Sequence, residues 1–596
     1  MSTAMRLEMR ILLLGGSGSE PGFETWRASL ARAGVPFDAI ALAHQPPTIR
    51  ILSPDGTVRY QALILATDGL LGSALDPECR ADLYRLERDL GLRRLTAYAY
   101  PGPRHGLTAP TWAGRLDDIT ACLTERGLEV FPYLRGSLPI DPGTWGYLAT
   151  PDPDECFESL LVAPDGSSLL GIHRDGEGRE RMVQTFDTNS AQVQGQLLRQ
   201  GILAWLTRGT HVGYQRNYLT VQVDDVLLPN YSWDPRRHAT ATGSDAILRM
   251  TADDAARTAR WSRTRGIRLD LACNGGGSRR YLAEGGLNRD PLLDALLAER
   301  DAFGWINHTF EHRNLDEASR EAIEGEIEAN LEWAAEHGIE FEPQVLITGE
   351  HTGLANLAAT PPRGENRNLA PALTARRIDF LACDASRPYA SGGPEQGSSR
   401  PVPAGVPFAT GSAFAIPRYP TALAHDVATP EQLLDRLRSS GHATDESWPQ
   451  LVSGEATRIL VKLLGNDPRP HFFHQSNLLA NGTGENGSIS SLVCELLDRV
   501  LSLYQSLILP SMPIVQPALA EIGRCLLRLD AWREAIAAGQ VVAYLEDGRV
   551  RVVNRGTTTL EVPLTGTLLG DAYGGSRSAW VPMPPGIAFV ECAPAG

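Results

Sequence analysis

Short apolar runs recur along the chain, and most are followed by a stretch with helical spacing. The first, Arg10–Leu14, gives way to Gly15-Gly16-Ser17-Gly18. A helical stretch over Phe23–Gly34, an apolar Phe37–Leu42, a buried run Tyr60–Ala66 and a helical Glu78–Leu90 follow. Strands alternating with helices predict a parallel α/β layer. The glycine loop lacks the GxGxxG spacing of a dinucleotide site and has no acidic ribose partner, so it reads as a tight strand–helix turn. From about Phe131 to Arg181 Gly, Pro and Asp become frequent and the pattern turns β-rich, before Gln194–Leu206 closes the region as a helix.

Six further runs lie between Tyr214 and Pro510: Leu219–Val226, Arg268–Cys273, Phe303–Asn307, Gln344–Thr348, Asp379–Cys383 and His471–Phe473. Amphipathic stretches such as Asp245–Thr264, Pro291–Arg300 and Glu317–His337 separate them. Repeated β–α units of this kind predict a barrel or partial barrel of parallel strands, with chemistry gathered at the C-terminal strand ends. The polar residues at those ends are Asp224 and Asp225, Asn274, His308, Glu350 and His351, Asp384 and His474. Past Gly539 the runs Val541–Leu545, Val550–Asn554, Leu560–Leu564 and Ile587–Cys592 alternate between turn residues, as in a small β-sandwich. The fold class expected is therefore α/β: a (β/α) barrel-like domain over 214–515, preceded by a Rossmann-like α/β domain with a β-rich insertion over 1–210 and followed by a β domain over 536–596. The N-terminal domain over 1–210 resembles the class I glutamine-amidotransferase-like fold. No cysteine sits at a strand–helix elbow there, so a scaffold is expected rather than an amidotransferase.

Composition narrows the partners. The 596 residues hold 55 Lys plus Arg against 71 Asp plus Glu, a formal charge of -16. Such a surface repels phosphate backbones, which argues against nucleic acid and anionic membranes. No apolar run approaches the ~18 residues of a membrane span. The eight cysteines form no CxxC pair, which suits free thiols better than a disulfide frame. The Ile11–Leu14 run is shorter than the ~7–15 residues of a signal h-region, so the chain as written is expected in the cytoplasm.

Chemistry concentrates in two places. His308 and His312 are four apart; on a helix or helical turn they share one face, and both imidazoles can reach one cation. The strand Val221-Gln222-Val223 ends in Asp224-Asp225. Two histidines and an aspartate leave metal positions open for water and a substrate oxygen, as a hydrolytic site requires. Adjacent carboxylates point to opposite sides of an ideal strand, but at a frayed end one can bind metal while the other takes a proton.

These motifs together resemble a known group. Val223-Asp224-Asp225-Val226, Asn307-His308-Thr309-Phe310-Glu311-His312 and Phe472-Phe473-His474-Gln475 are similar to motifs of the polysaccharide deacetylase (NodB-homology) superfamily, in the branch of the fungal galactosaminogalactan deacetylase. Cys273-Asn274-Gly275-Gly276-Gly277-Ser278, Ile347-Thr348-Gly349-Glu350-His351-Thr352 and Pro417-Arg418-Tyr419-Pro420-Thr421 support the resemblance. It implies a carbohydrate N-deacetylase using one divalent metal, with zinc the first candidate, on an N-acetylated carbohydrate for which GalNAc polymers are the first choice. It makes Asp225, His308 and His312 the metal ligands, Asp224 the general base and His474 the acid for the leaving amine. Asn274, Glu350, His351, Arg418 and Tyr419 would bind substrate. It also implies an exported protein, at odds with the N-terminal reading. The superfamily's arginine-and-proline motif is replaced here by Gly349-Glu350-His351, so the residue that steadies the base is open, with Glu350 or His351 as stand-ins.

Three other readings compete. His308-Thr309-Phe310-Glu311-His312 also fits the inverted zincin motif H-x-x-E-H, in which Glu311 would be the base of a metallopeptidase. Two histidines and a carboxylate also compose the facial triad of a non-haem iron oxygenase. A non-catalytic carbohydrate-binding protein is the third.

Overall fold

The computed structural model describes residues 6–44, 49–117, 119–243, 246–356, 362–387, 413–441, 446–481 and 490–594. Seven parallel strands form the sheet that carries the candidate residues. They are β1 (Val221–Val226), β2 (Leu269–Cys273), β3 (Phe303–Asn307), β4 (Val345–Ile347), β5 (Phe380–Asp384), β6 (Phe414–Pro420) and β7 (His471–His474). The spatial order is β3-β2-β1-β7-β6-β5-β4. The sheet curls until its edge strands β3 and β4 approach one another, and His308 bridges the seam by donating from Nδ1 to the Ile347 carbonyl at 3.0 Å. This is the barrel-like architecture the periodicity predicts. One strand, β6, has no counterpart among the apolar runs: Pro417 and Pro420 interrupt it, and proline removes ladder donors. It pairs in parallel with β5 from Phe414 to Arg418 and passes Tyr419 and Pro420 to β7.

Alternation along the strands separates two environments. The inward residues Ala272, Ile306, Val345, Ile347, Phe380, Ala382 and Ile416 pack against Leu519, Ala520, Ile522 and Leu526 of the helix Leu519–Ala537, which closes the N-terminal pole. That approach is close enough that a Cβ at Gly523 would lie 2.2 Å from the Phe380 ring. Outside the barrel, Leu346, Leu381 and Ala415 pack on Ile323, Ile327, Leu369 and Leu373 of the flanking helices Arg320–Glu336 and Leu369–Ala375. The opposite, C-terminal pole is thereby left to polar residues.

The N-terminal region is a nine-stranded mixed sheet. Phe37–Ala41, Ile11–Gly15, Ala62–Leu65, Arg93–Thr96 and Glu180–Gln184 run parallel, and the insertion continues the sheet antiparallel through Ser168–Arg174 and Cys156–Val162. The glycine loop is a tight turn into the helix Pro21–Ala33. Its donors are taken by the chain itself: the Glu20 carboxylate accepts from the N–H groups of Gly16, Ser17 and Gly18 at 2.8, 2.7 and 2.9 Å. The C-terminal sandwich is two four-stranded sheets. It incorporates Leu7–Glu8 beside Val541–Glu546 and His211–Val212 beside Leu560–Thr565, so distant parts of the chain share one small core. Among the described residues no helix is long and apolar enough to cross a membrane.

Candidate active site

At the end of β1 the register shows how two adjacent aspartates serve one site. Val223 pairs with Leu271 and Val226 with Cys273, so Asp224 and Asp225 together stand opposite Ala272 alone. This is a bulge, and Asp225 takes a left-handed conformation (φ 63) within it. The local rotation cancels the alternation that would point the carboxylates apart. Asp224 keeps its register opposite His474 on β7, while Asp225 Oδ1 lies 3.1 Å from His312 Nε2 and 3.4 Å from His308 Nε2.

The two histidines do not meet on a helical turn as their spacing suggested. Residues 308–312 form an irregular loop after β3, with Thr309 (φ 66) and His312 (φ 56) in the left-handed region. Three buried asparagines hold that bend. The Asn274 side-chain amide donates to the carbonyls of His308 (2.5 Å) and Thr309 (2.8 Å). Asn307 Oδ1 accepts from the Thr309 N–H at 2.9 Å and from Asn330 at 2.8 Å, and Asn330 also donates to the Cys273 carbonyl. The imidazoles end 5.0 Å apart, nearly perpendicular. Gly349 passes so close to His312 that a Cβ there would lie 2.9 Å from the ring.

The donor set fits a divalent cation. Among the described residues, Asp225, His308 and His312 are the group whose ligand atoms all lie within 4.8 Å of one another. Because His308 donates from Nδ1 to a carbonyl, its Nε2 lone pair faces the centre, the usual outer-sphere arrangement for a metal-binding histidine. Burial pushes the Asp225 carboxyl up, but hydrogen bonding to both imidazoles dominates and holds it well below the ordinary carboxylate range. Burial depresses the His312 imidazole, and Asp225 more than compensates, leaving it raised.

Asp224 is steadied by an arginine from the unpredicted strand. Arg418 Nη1 and Nη2 donate to Asp224 Oδ1 and Oδ2, both at 2.8 Å, in a bidentate pair. The guanidinium is 0 % exposed and stacks 4.4 Å above the Phe472 ring. Burial alone would raise the Asp224 carboxyl, but Arg418 overrides it and holds the group well below its ordinary range. Arg418 Nη2 also donates to His351 Nε2 at 3.2 Å. Burial and then the Arg418 charge keep that imidazole neutral, far below its ordinary value, which lets Nε2 accept. The arginine that pairs with Asp224 thus comes from Pro417-Arg418-Tyr419, with His351 behind it. The sequence reading assigned Arg418 to substrate binding, and the flanking prolines hid the strand that carries it.

The remaining candidates fall in different places. His474 lies beside the aspartates, and burial lowers its pKa while Asp225 and Asp224 oppose the shift. Glu350 is exposed on a one-turn 3-10 element (Gly349–His351), where its carbonyl accepts from Arg387. Asn274 is fully buried and committed to the backbone of the histidine loop, not to a groove. Tyr419 faces out of the barrel: its hydroxyl donates to Asp467 at 2.6 Å, and it lines a separate cavity of about 500 Å³ with Lys462, His471 and Ser190. Glu311, the residue a peptidase would need as base, is half-exposed and paired with Arg280 at 2.9 Å.

Residues 281–496 match the family model described as the Agd3 deacetylase domain, a span that holds His308, His312, His351, Arg418 and His474 and begins after the aspartate pair. The whole chain shares the fold of the solved structure of Agd3, a novel carbohydrate deacetylase: TM-score 0.82 and 19% identity, covering 99% of both chains. A family 4 carbohydrate esterase from Streptomyces lividans in complex with acetate is similar only weakly (TM-score 0.18, 12% identity, 28% of this chain and 64% of that one). The same holds for a family 4 acetyl xylan esterase from Clostridium thermocellum (TM-score 0.23, 9% identity, 52% and 91%). Likenesses that low carry no argument. No curated protein matches the chain in sequence. Residues 281–496 thus match an Agd3 deacetylase domain, and the fold shared with Agd3 runs the length of the chain.

Proposed function

We propose that the protein hydrolyses the acetamide of an N-acetylated amino sugar within an oligosaccharide or polymer, releasing acetate and a free amine. The single observation that carries this reading is the meeting of three functions at one strand edge: the Asp225–His308–His312 donor set, the Arg418-paired Asp224, and His474. A divalent cation, with zinc the first candidate, held by Asp225, His308 and His312 would polarise the acetyl carbonyl and make the attacking water more acidic. Asp224 takes the proton from that water. The Arg418 fork fixes both of its oxygens and keeps it ionised, so the base is always in the receptive state. His474 protonates the leaving nitrogen; its register pairing with Asp224 supports that role. Burial lowers its affinity for the proton, which makes the charged imidazole a stronger acid when it delivers it. GalNAc-containing chains are the first substrate to try, by likeness to the galactosaminogalactan branch.

The pairing of Glu311 with Arg280 on the surface weighs against a peptidase mechanism. The test is kinetic. Asp224→Asn and Asp225→Asn should each abolish acetate release from N-acetylgalactosamine and N-acetylglucosamine oligosaccharides, with metal lost in the second variant. Full activity in either variant would refute the roles given to these residues.

A further inference from the structure

One oxygen of Asp225 is engaged by the imidazoles; the other has a partner of its own. Asn230 Nδ2 donates to Asp225 Oδ2 at 3.0 Å. Asn230 Oδ1 in turn accepts from Gln475 Nε2, and the same Gln475 nitrogen donates to the Leu248 carbonyl at 2.8 Å. Gln475 Oε1 accepts from the Met250 N–H at 2.8 Å. The direction of this chain is not arbitrary. A backbone N–H can only donate, so Met250 forces the oxygen of Gln475 toward itself and the nitrogen toward Asn230. Asn230 must then present its oxygen to Gln475 and its amide hydrogens to Asp225. Both side chains are anchored to a short antiparallel ribbon, Asn230–Tyr231 with Ile247–Leu248, and Gln475 directly follows His474.

We infer that Asn230, oriented by Gln475, is a positioning residue that reserves Asp225 Oδ2 and so restricts Asp225 to ligation through Oδ1. This rests on the metal-dependent reading above. A carboxylate offering both oxygens would occupy a position that water and the acetyl oxygen need. A neutral donor on Oδ2 prevents that and adds no charge. It also couples the ligand to the ribbon at the barrel mouth and to the strand end that carries His474.

The test uses the full-length protein and reads metal binding without substrate. Asn230→Ala should weaken zinc affinity roughly 10–100-fold, the usual scale for an outer-sphere partner, measured by competition with a chromophoric chelator. Asn230→Asp, the same size but unable to donate, should weaken it similarly. Gln475→Glu cannot donate to Asn230 and should move affinity in the same direction by a smaller factor. In the cobalt-substituted protein, Asn230→Ala should change the position and intensity of the visible d–d absorption, because Asp225 gains the freedom to ligate through both oxygens. At saturating metal, kcat should fall more than KM changes. Wild-type affinity and an unchanged cobalt spectrum in folded Asn230→Ala protein, with its melting temperature kept, would overturn the inference while leaving the functional reading standing. A wild-type protein that binds no divalent metal would overturn both.

Discussion

Replacing Arg418 with methionine removes the guanidinium and keeps much of the volume that stacks on Phe472. Its partner is then stranded. The side chains of Arg418 and Asp224 are 0 % and 5 % exposed, and two 2.8 Å charge-assisted bonds join them. Removing one member of a buried ion pair costs about 3–5 kcal/mol, because the other charge stays desolvated. Asp224 can escape that cost by binding a proton. At about 1.4 kcal/mol per pKa unit, the same energy corresponds to an upward shift of roughly two to four units. The sign follows from the base's role: a carboxyl that titrates higher is protonated, and so inactive, at higher pH. The acid limb of the kcat/KM profile should therefore move toward neutral pH in Arg418→Met. Because the carboxyl starts well below its ordinary range, Asp224 should still be ionised at pH 7, so activity there should be largely retained while activity under acid conditions falls. Arg418→Lys keeps the charge and loses the fork, so its limb should move less. The assay is acetate release across pH at saturating metal, with folding checked by circular dichroism. An acid limb that stays where the wild type has it, in a folded variant, would refute the assignment of Asp224 as the base that Arg418 holds.

Three further variants probe neighbouring parts of the site. Gly349→Ala places a Cβ 2.9 Å from the His312 ring and should displace that imidazole; chelator competition should show weaker metal binding with melting temperature nearly unchanged. Asn274→Ala leaves the buried carbonyls of His308 and Thr309 without their donor, at a cost of about 1–3 kcal/mol, so both melting temperature and metal affinity should fall. Glu311→Gln breaks only a half-exposed pair with Arg280, worth at most about 1 kcal/mol. Acetate release should persist in this variant, and its disappearance would return Glu311 to candidacy as a base.

Much of the barrel was legible because its strands are buried on both faces and read as short apolar runs, each closing on a polar residue at the C-terminal edge. β6 was not, because Pro417 and Pro420 violate strand propensity and only tertiary pairing with β5 and β7 holds them extended. The candidate trio Asp225, His308 and His312 was visible as residue types at suggestive spacing, but the means by which they meet was not. A helical turn was the economical guess for His308 and His312, whereas a loop with two left-handed residues, clamped by Asn274, Asn307 and Asn330, does the work. In the same way the bulge at Asp225 depends on register with β2, which lies outside any local pattern. Arg418 illustrates the limit most clearly: its residue type suits sugar recognition, and only the folded structure shows it buried against Asp224 and Phe472. Nor could local pattern reveal that Leu7–Glu8 and His211–Val212 complete the C-terminal sandwich, since those pairings span hundreds of residues.

The most direct test of the central claim is acetate release by the purified protein from N-acetylgalactosamine and N-acetylglucosamine oligosaccharides, before and after chelation. Release that the chelator abolishes and zinc restores, together with one metal ion per chain lost in His308→Ala and His312→Ala, is the predicted result. No release from either series by protein shown to hold its metal, or release indifferent to the chelator, would contradict it.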